Sequence, residues 1–179
     1  MNSLKIGAAL AVLVGANVAA ATADAADWYG AVHVGQSEIT GSAYGSSVEL
    51  NEGTSYGAAI GTSVGPFRVE AGADQLSGDL AGFADVDLTA YSATAYLDLS
   101  VGDNASVFVG AGADYLQGEL NVPGYSMSES GDGYHWAVGG AYRLSEKIVG
   151  EVQFRQITGD IAGIDVDANQ FSVGARFRL

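Results

Sequence analysis

The sequence predicts an all-β protein, an eight-stranded antiparallel up-and-down β-barrel that crosses a membrane with strands. Three observations predict it. Apolar and polar residues alternate with a period of two along most of the chain, which marks strands because successive side chains point to opposite faces. The alternation recurs in four units of near-constant length. A short apolar leader precedes the patterned part, which is therefore expected to be exported.

The leader comes first. MNSLK carries the positive Lys5, and IGAALAVLVGANVAAA is apolar and uncharged. Ala23-Asp24-Ala25 has the small-x-small form of a signal peptidase site. The apolar run is about 16 residues, shorter than the roughly 20 that a spanning helix needs. Residues 1–25 are therefore assigned as a cleavable signal peptide and residues 26–179 as one barrel domain. Cleavage after Ala23 or Ala26 is the alternative. A retained membrane anchor has no basic stop-transfer flank to support it.

Composition narrows the class. The chain has no cysteine, so neither disulfides nor thiol chemistry are open to it. It holds 26 glycines but only 2 prolines, and its apolar residues are patterned, which argues against a disordered chain. Without Lys5 and Asp24 the 6 remaining basic and 20 acidic residues still give a net charge of -14. Such a chain repels nucleic acid, and that partner class is excluded.

The four units share a pentapeptide: SEITG (37–41), DQLSG (74–78), DYLQG (114–118) and RQITG (155–159). Their glycines, Gly41, Gly78, Gly118 and Gly159, lie 37, 40 and 41 residues apart. SGDLAGFADVDLTAYS (77–92) and TGDIAGIDVDANQFS (158–172) match over a longer span. Each unit reads as a hairpin whose loop is rich in Gly and Asp. Short turns join the units at SVGP (63–66), SVGDNAS (100–106) and LSEK (144–147). Strands are expected near 28–36, 55–63, 67–76, 87–99, 106–117, 134–144, 148–158 and 168–179. Long loops at one end and tight turns at the other are typical of outer-membrane barrels.

The polarity of the faces fixes which one meets lipid. Phe67, Val69, Ala71 and Ala73 oppose Arg68, Glu70, Gly72 and Asp74. Val107, Val109, Ala111, Ala113 and Tyr115 oppose Gly110, Gly112 and Asp114, and Val152 and Phe154 oppose Glu151, Gln153 and Arg155. The second faces are small and charged, as a narrow interior filled by side chains requires. Turned outward, each midplane Arg would cost roughly 2–4 kcal/mol, falling to about 0–1 near the interfaces. An interior charge network of Arg68, Glu70, Asp98, Arg143, Glu151, Arg155, Arg176 and Arg178 follows, with Glu151 expected between Arg143 and Arg176. Trp28, Tyr56, Tyr91, Tyr115, Tyr142, Phe154, Phe171 and Phe177 fall at strand ends or on the apolar parity, as interfacial girdles require. An ordinary sandwich with one wet face explains neither the leader nor the loop asymmetry.

DWYGAVHVG, VFVGAGADY and VGGAYRLSEKIVGEVQFRQ resemble the small OmpA/OmpX/opacity-type outer-membrane β-barrels, over essentially all of residues 27–179. The last eight residues, SVGARFRL, fit the family's assembly signal through Ser172, Gly174, Phe177 and Leu179, although the family usually ends on Phe. The resemblance implies a Gram-negative outer membrane and recognition by the barrel assembly machinery.

Chemistry is sparse. Some barrels of this size modify lipid A with a His–Ser pair, but His33 and His135 have no serine two residues on. Both read as interior polar residues, and His135 is expected to open the sixth strand. Asp85/Asp87 and Asp165/Asp167 form Asp-x-Asp pairs, but lack EF-hand spacing and read as solvated acids. No catalytic residue, cofactor or metal ligand is assigned. The expected function is a structural or surface-interaction protein, with a narrow cation-leaning pore or a lipid A-modifying enzyme as alternatives. Expected partners are outer-membrane lipid, lipopolysaccharide and divalent cations at the acidic loops, around a monomer.

Overall fold

The computed structural model describes residues 27–43, 46–49, 52–80, 84–122 and 125–179; the proposed signal peptide lies outside them. Every element among these residues is a strand: β1 (Asp27–Ala43), β2 (Ser46–Glu49), β3 (Gly53–Val64), β4 (Phe67–Leu80), β5 (Ala84–Ser100), β6 (Ala105–Val122), β7 (Tyr125–Arg143), β8 (Ile148–Ile161) and β9 (Ile164–Arg178). Each pairs antiparallel with its neighbours, and β1 closes the sheet on β9 from Tyr29↔Arg178 to Ser42↔Asp165. The pieces β2 and β3 both pair with β1, with a slip of one residue between Thr40↔Glu49 and Ser37↔Gly53. They form one wall strand, and the molecule is a closed eight-stranded barrel. Closure leaves no edge, the condition for a sheet to stand in lipid. The chain end is held as well: Arg178 N–H donates to the Lys147 carbonyl at 3.0 Å and Leu179 N–H to that of Trp28 at 2.9 Å.

The two ends differ, though not as the sequence suggested. At one end Gly65 (φ 60) turns β3 into β4, and Ser145 Oγ accepts from the Lys147 and Ile148 amides at 3.3 and 3.1 Å. At the other end the expected loops are largely ladder, which continues to Leu80↔Ala84, Val122↔Tyr125 and Ile161↔Ile164. The β8–β9 turn is only Ala162 and Gly163, both with positive φ (55 and 85). Strands β6 and β7 are 18 and 19 residues long, against the roughly 9–11 that cross a membrane. The asymmetry is one of strand overhang.

The chemistry of the two faces exchanges along the barrel axis. Through the wall, Val32, Val34, Ile60, Val109, Val138, Val152 and Val173 are exposed outward while Arg68, Asp74, Asp114 and Arg155 are buried inward. Outward-facing Tyr56, Tyr91, Tyr115, Tyr134, Trp136 and Phe171 form a ring. Beyond that ring the outward positions are mostly Gln, Asn, Ser, Thr, Asp and Glu, and the inward ones include Ile39, Leu76, Leu88, Leu116, Ile157, Ile161 and Val166, buried as one apolar cluster. Parity never changes; the surroundings do. Inside a bilayer the outer face must be apolar, whereas beyond it water wets the outside and only the inside can bury apolar surface. The expectation of a small, charged interior along the whole length is corrected here.

Candidate functional site

The interior above mid-wall is built by the sequence repeat. Its first positions, Ser37, Asp74, Asp114 and Arg155, lie on β1, β4, β6 and β8, alternate strands of the wall, and all point inward and are buried. Its third positions, Ile39, Leu76, Leu116 and Ile157, supply four of the nine residues of the apolar cluster one step further out. Arg155, 4% exposed, donates from Nη1 to Asp74 Oδ2 at 2.7 Å and from Nη2 to Asp114 Oδ1. His33 Nε2 donates to Asp74 Oδ1, which also accepts from Gln170 Nε2 at 3.2 Å. His135 Nδ1 donates to Asp114 Oδ2 at 2.7 Å, and its Nε2 is 2.9 Å from Thr94 Oγ1. Because a carboxylate only accepts, His135 Nδ1 carries the proton of that bond.

A second cluster sits nearer the turn end. Arg68, 1% exposed, contacts Glu70, Asp98 (3.1 Å) and Glu151 (3.8 Å), with its guanidinium 4.0 Å from the Tyr96 ring centre and 4.9 Å from that of Phe108. Tyr29 Oη donates to Glu70 at 2.7 Å. Arg176 lies 2.8 Å from Glu151 without the alignment of a hydrogen bond, and 3.7 Å from Asp98. Glycines directly across the ladder make room for the large groups: Gly110 faces Tyr96, Gly139 faces Phe108, Gly57 faces His33 and Gly112 faces His135. A methyl group at any of them would collide with the ring or imidazole opposite.

Of the eight residues assigned to an interior network, Arg68, Glu70, Asp98, Glu151 and Arg176 meet in the lower cluster, while Arg155 belongs to the upper one. Two are corrected. Arg143 and Arg178 have inward parity but lie on the last residues of β7 and β9, where the wall ends, and both are exposed. Arg178 pairs with Asp27 at the rim, the side chains 58% and 56% exposed. Parity tells direction, not depth. Glu151 accordingly lies between Arg176 and Arg68, not Arg143. Asp74 and Asp114, which the face pattern turned inward but the assigned network left out, are the buried partners of Arg155. Sharing the first repeat position with Arg155 was the signal that pointed to them. His135 lies within β7 rather than at its start. Glu49, Asp79 and Asp85 have side chains outside the described residues. In the terminal pattern, Ser172 is buried inward, Gly174 packs against His33, Phe177 faces outward and Leu179 lies just past β9.

The arrangement leaves little free space. A cavity of ≈ 40 Å³ separates the clusters, lined in part by His33, Glu70, Asp74, Thr94, Glu151 and Arg155. That is room for a few waters, since one needs about 10–15 Å³. Asp114, His135 and Thr94 have the order of a nucleophile relay, but all three are buried, and the space that Thr94 lines is this same ≈ 40 Å³ cavity. Among the described residues no group of three or more His, Asp or Glu could hold a metal ion. A wider cavity of ≈ 410 Å³ opens at the turn end, lined by Arg143, Lys147, Arg176 and Arg178 with Asp27 and Glu146.

The outer membrane protein beta-barrel domain profile matches residues 6–178. The chain belongs to the outer-membrane β-barrel protein family. Among solved structures it is similar to Neisserial surface protein A, at 17% identity and a TM-score of 0.72, over 86% of this chain and 99% of that one. It is also similar to OprG of Pseudomonas aeruginosa (12% identity, 86% of this chain and 96% of that one, TM-score 0.54). A third likeness is to Ail of Yersinia pestis (15% identity, 84% and 99%, TM-score 0.50). At these identities the likeness is one of fold. No match was found among curated protein sequences. As a member of this family the protein resides in the outer membrane of a Gram-negative bacterium.

Proposed function

We propose that this outer-membrane barrel is a structural or surface-interaction protein without catalysis or solute transport. The observation that carries the reading is the filled interior: the Arg155 clamp spans the lumen, and the apolar cluster closes it above. Purified protein in planar bilayers is expected to give no stepwise conductance. Reproducible cation-selective steps would favour a narrow pore instead. Expression without a change in lipid A mass is expected too, and a mass change would favour the enzyme alternative.

The surface role is supported by the overhanging hairpins with exposed acids Glu38, Glu119, Asp132, Asp160, Asp165 and Asp167. Ail, similar in fold, is described as an attachment invasion locus protein. A deletion strain tested for surface attachment and envelope leakiness separates an interaction role from a structural one. Removal of residues 1–25 on export, insertion by the assembly machinery, a monomeric state, and contact with outer-leaflet lipid, lipopolysaccharide and divalent cations complete the proposal.

A further inference from the structure

We propose that the belt just beyond the outer aromatic ring binds the uncharged sugar hydroxyls of outer-leaflet glycolipid and does not bind its phosphates. The inference rests on the proposed contact with outer-leaflet lipid and names the part of the lipid that is recognised.

The belt consists of the outward residues one step past the ring. They are Gln36, Gln75, Gln117, Gln156 and Asn169 on β1, β4, β6, β8 and β9, with Thr54 and Thr89 between them. An amide both donates and accepts, which suits hydroxyl groups. Two of the amides are oriented by the ring below: Tyr56 Oη donates to Gln75 Oε1 at 2.5 Å and Trp136 Nε1 to Gln156 Oε1 at 2.8 Å. An indole N–H only donates, so the Gln156 carbonyl oxygen must face it, leaving the amide NH₂ free to donate elsewhere.

Charge excludes the phosphates. Beyond the leader the chain has six basic residues. Arg68 and Arg155 are buried inside the barrel, and Arg143, Lys147, Arg176 and Arg178 line the cavity at the turn end. No Lys or Arg remains for the outer belt. The next outward positions, two residues further along β1, β5, β6 and β9, are Glu38, Asp87, Glu119 and Asp167. At about 3.3 Å per residue they stand roughly 7 Å beyond the belt, within the roughly 8–10 Å over which charges act at ordinary salt. A lipid phosphate held there would meet repulsion and no counter-ion.

The test refolds the barrel into phosphatidylcholine vesicles carrying equal mole fractions of either a neutral diglycosyl diacylglycerol or phosphatidylglycerol. The thermal midpoint is read from the heat-modifiable gel band, and retained lipid by native mass spectrometry. The glycolipid is expected to raise the midpoint by about 3 °C or more and to stay bound, and phosphatidylglycerol to do neither. Gln75→Ala with Gln156→Ala should still insert, yet lose the glycolipid effect. Gln117→Lys with Asn169→Lys should gain one from phosphatidylglycerol. An equal rise with phosphatidylglycerol on the natural chain overturns the proposal, as does a full glycolipid effect in the double alanine variant. Failure to insert into any of the vesicles would instead overturn the lipid contact on which the proposal rests.

Discussion

Arg155 on β8 donates to Asp74 on β4 at 2.7 Å, and these two strands stand on opposite sides of the eight-stranded wall. One ion pair thus spans the width of the barrel, and Asp114 shares the same guanidinium. Removing one partner of a buried network typically costs about 3–5 kcal/mol, because the other charge stays buried and unpaired. Arg155→Met should lower the urea midpoint in detergent accordingly. Arg178→Gln, at an exposed rim pair, should cost less than about 1 kcal/mol. Similar losses from both would mean that the interior clamp is solvated.

Glu151 faces Arg176 and Arg68 together, at 2.8 and 3.8 Å. Glu151→Gln keeps the shape and removes the charge both arginines share, so its unfolding midpoint should fall far more than that of Glu129→Gln, which alters an exposed carboxylate. Equal effects would refute a load carried by this cluster.

Gly110 exists to admit the Tyr96 ring, its ladder partner. Gly110→Ala should cost about 1–3 kcal/mol through overpacking. Combined with Tyr96→Ala, the penalty of the added methyl should largely vanish, a coupling that a double-mutant cycle measures. Additive losses would show that the glycine serves the backbone instead.

Carboxylates meet across the ladder in the outer overhang: Asp132 pairs with Asp160, and Asp160 with Asp165. Like charges directly opposite destabilise a sheet. Millimolar magnesium or calcium should therefore raise the midpoint more than NaCl of matched ionic strength, and Asp160→Asn should reduce the difference. The same response to both salts would leave only generic screening.

Phe177 and Phe154 both lie on the outward parity of late strands. Truncating a fully buried Phe costs about 3–5 kcal/mol, and a lipid-facing one should cost less because lipid fills the gap. Phe177→Ala should still refold in detergent with a heat-modifiable shift. In cells it should accumulate in the periplasm or be degraded, while Phe154→Ala reaches the outer membrane. Equal membrane levels of the two would assign the terminal pattern to lipid contact alone.

The amino-acid sequence by itself determined the strand number, the parity of each strand and the antiparallel order of neighbours. These follow from a period of two and from turn spacing, both local properties of the chain. The pentapeptide repeat even carried the interior layers, polar at its first position and apolar at its third, in order along the axis. Depth and partnership were decided only by the tertiary structure. Arg143, Arg155 and Arg178 share one parity, yet only Arg155 is buried, because height above the wall's end depends on how strands stagger around the barrel. Asp74 and Arg155 are 81 residues apart and meet because closure sets β4 opposite β8. Alternation says which way a side chain points. What it meets there is fixed by the strands across the lumen, and those are brought into place only when the last strand pairs with the first.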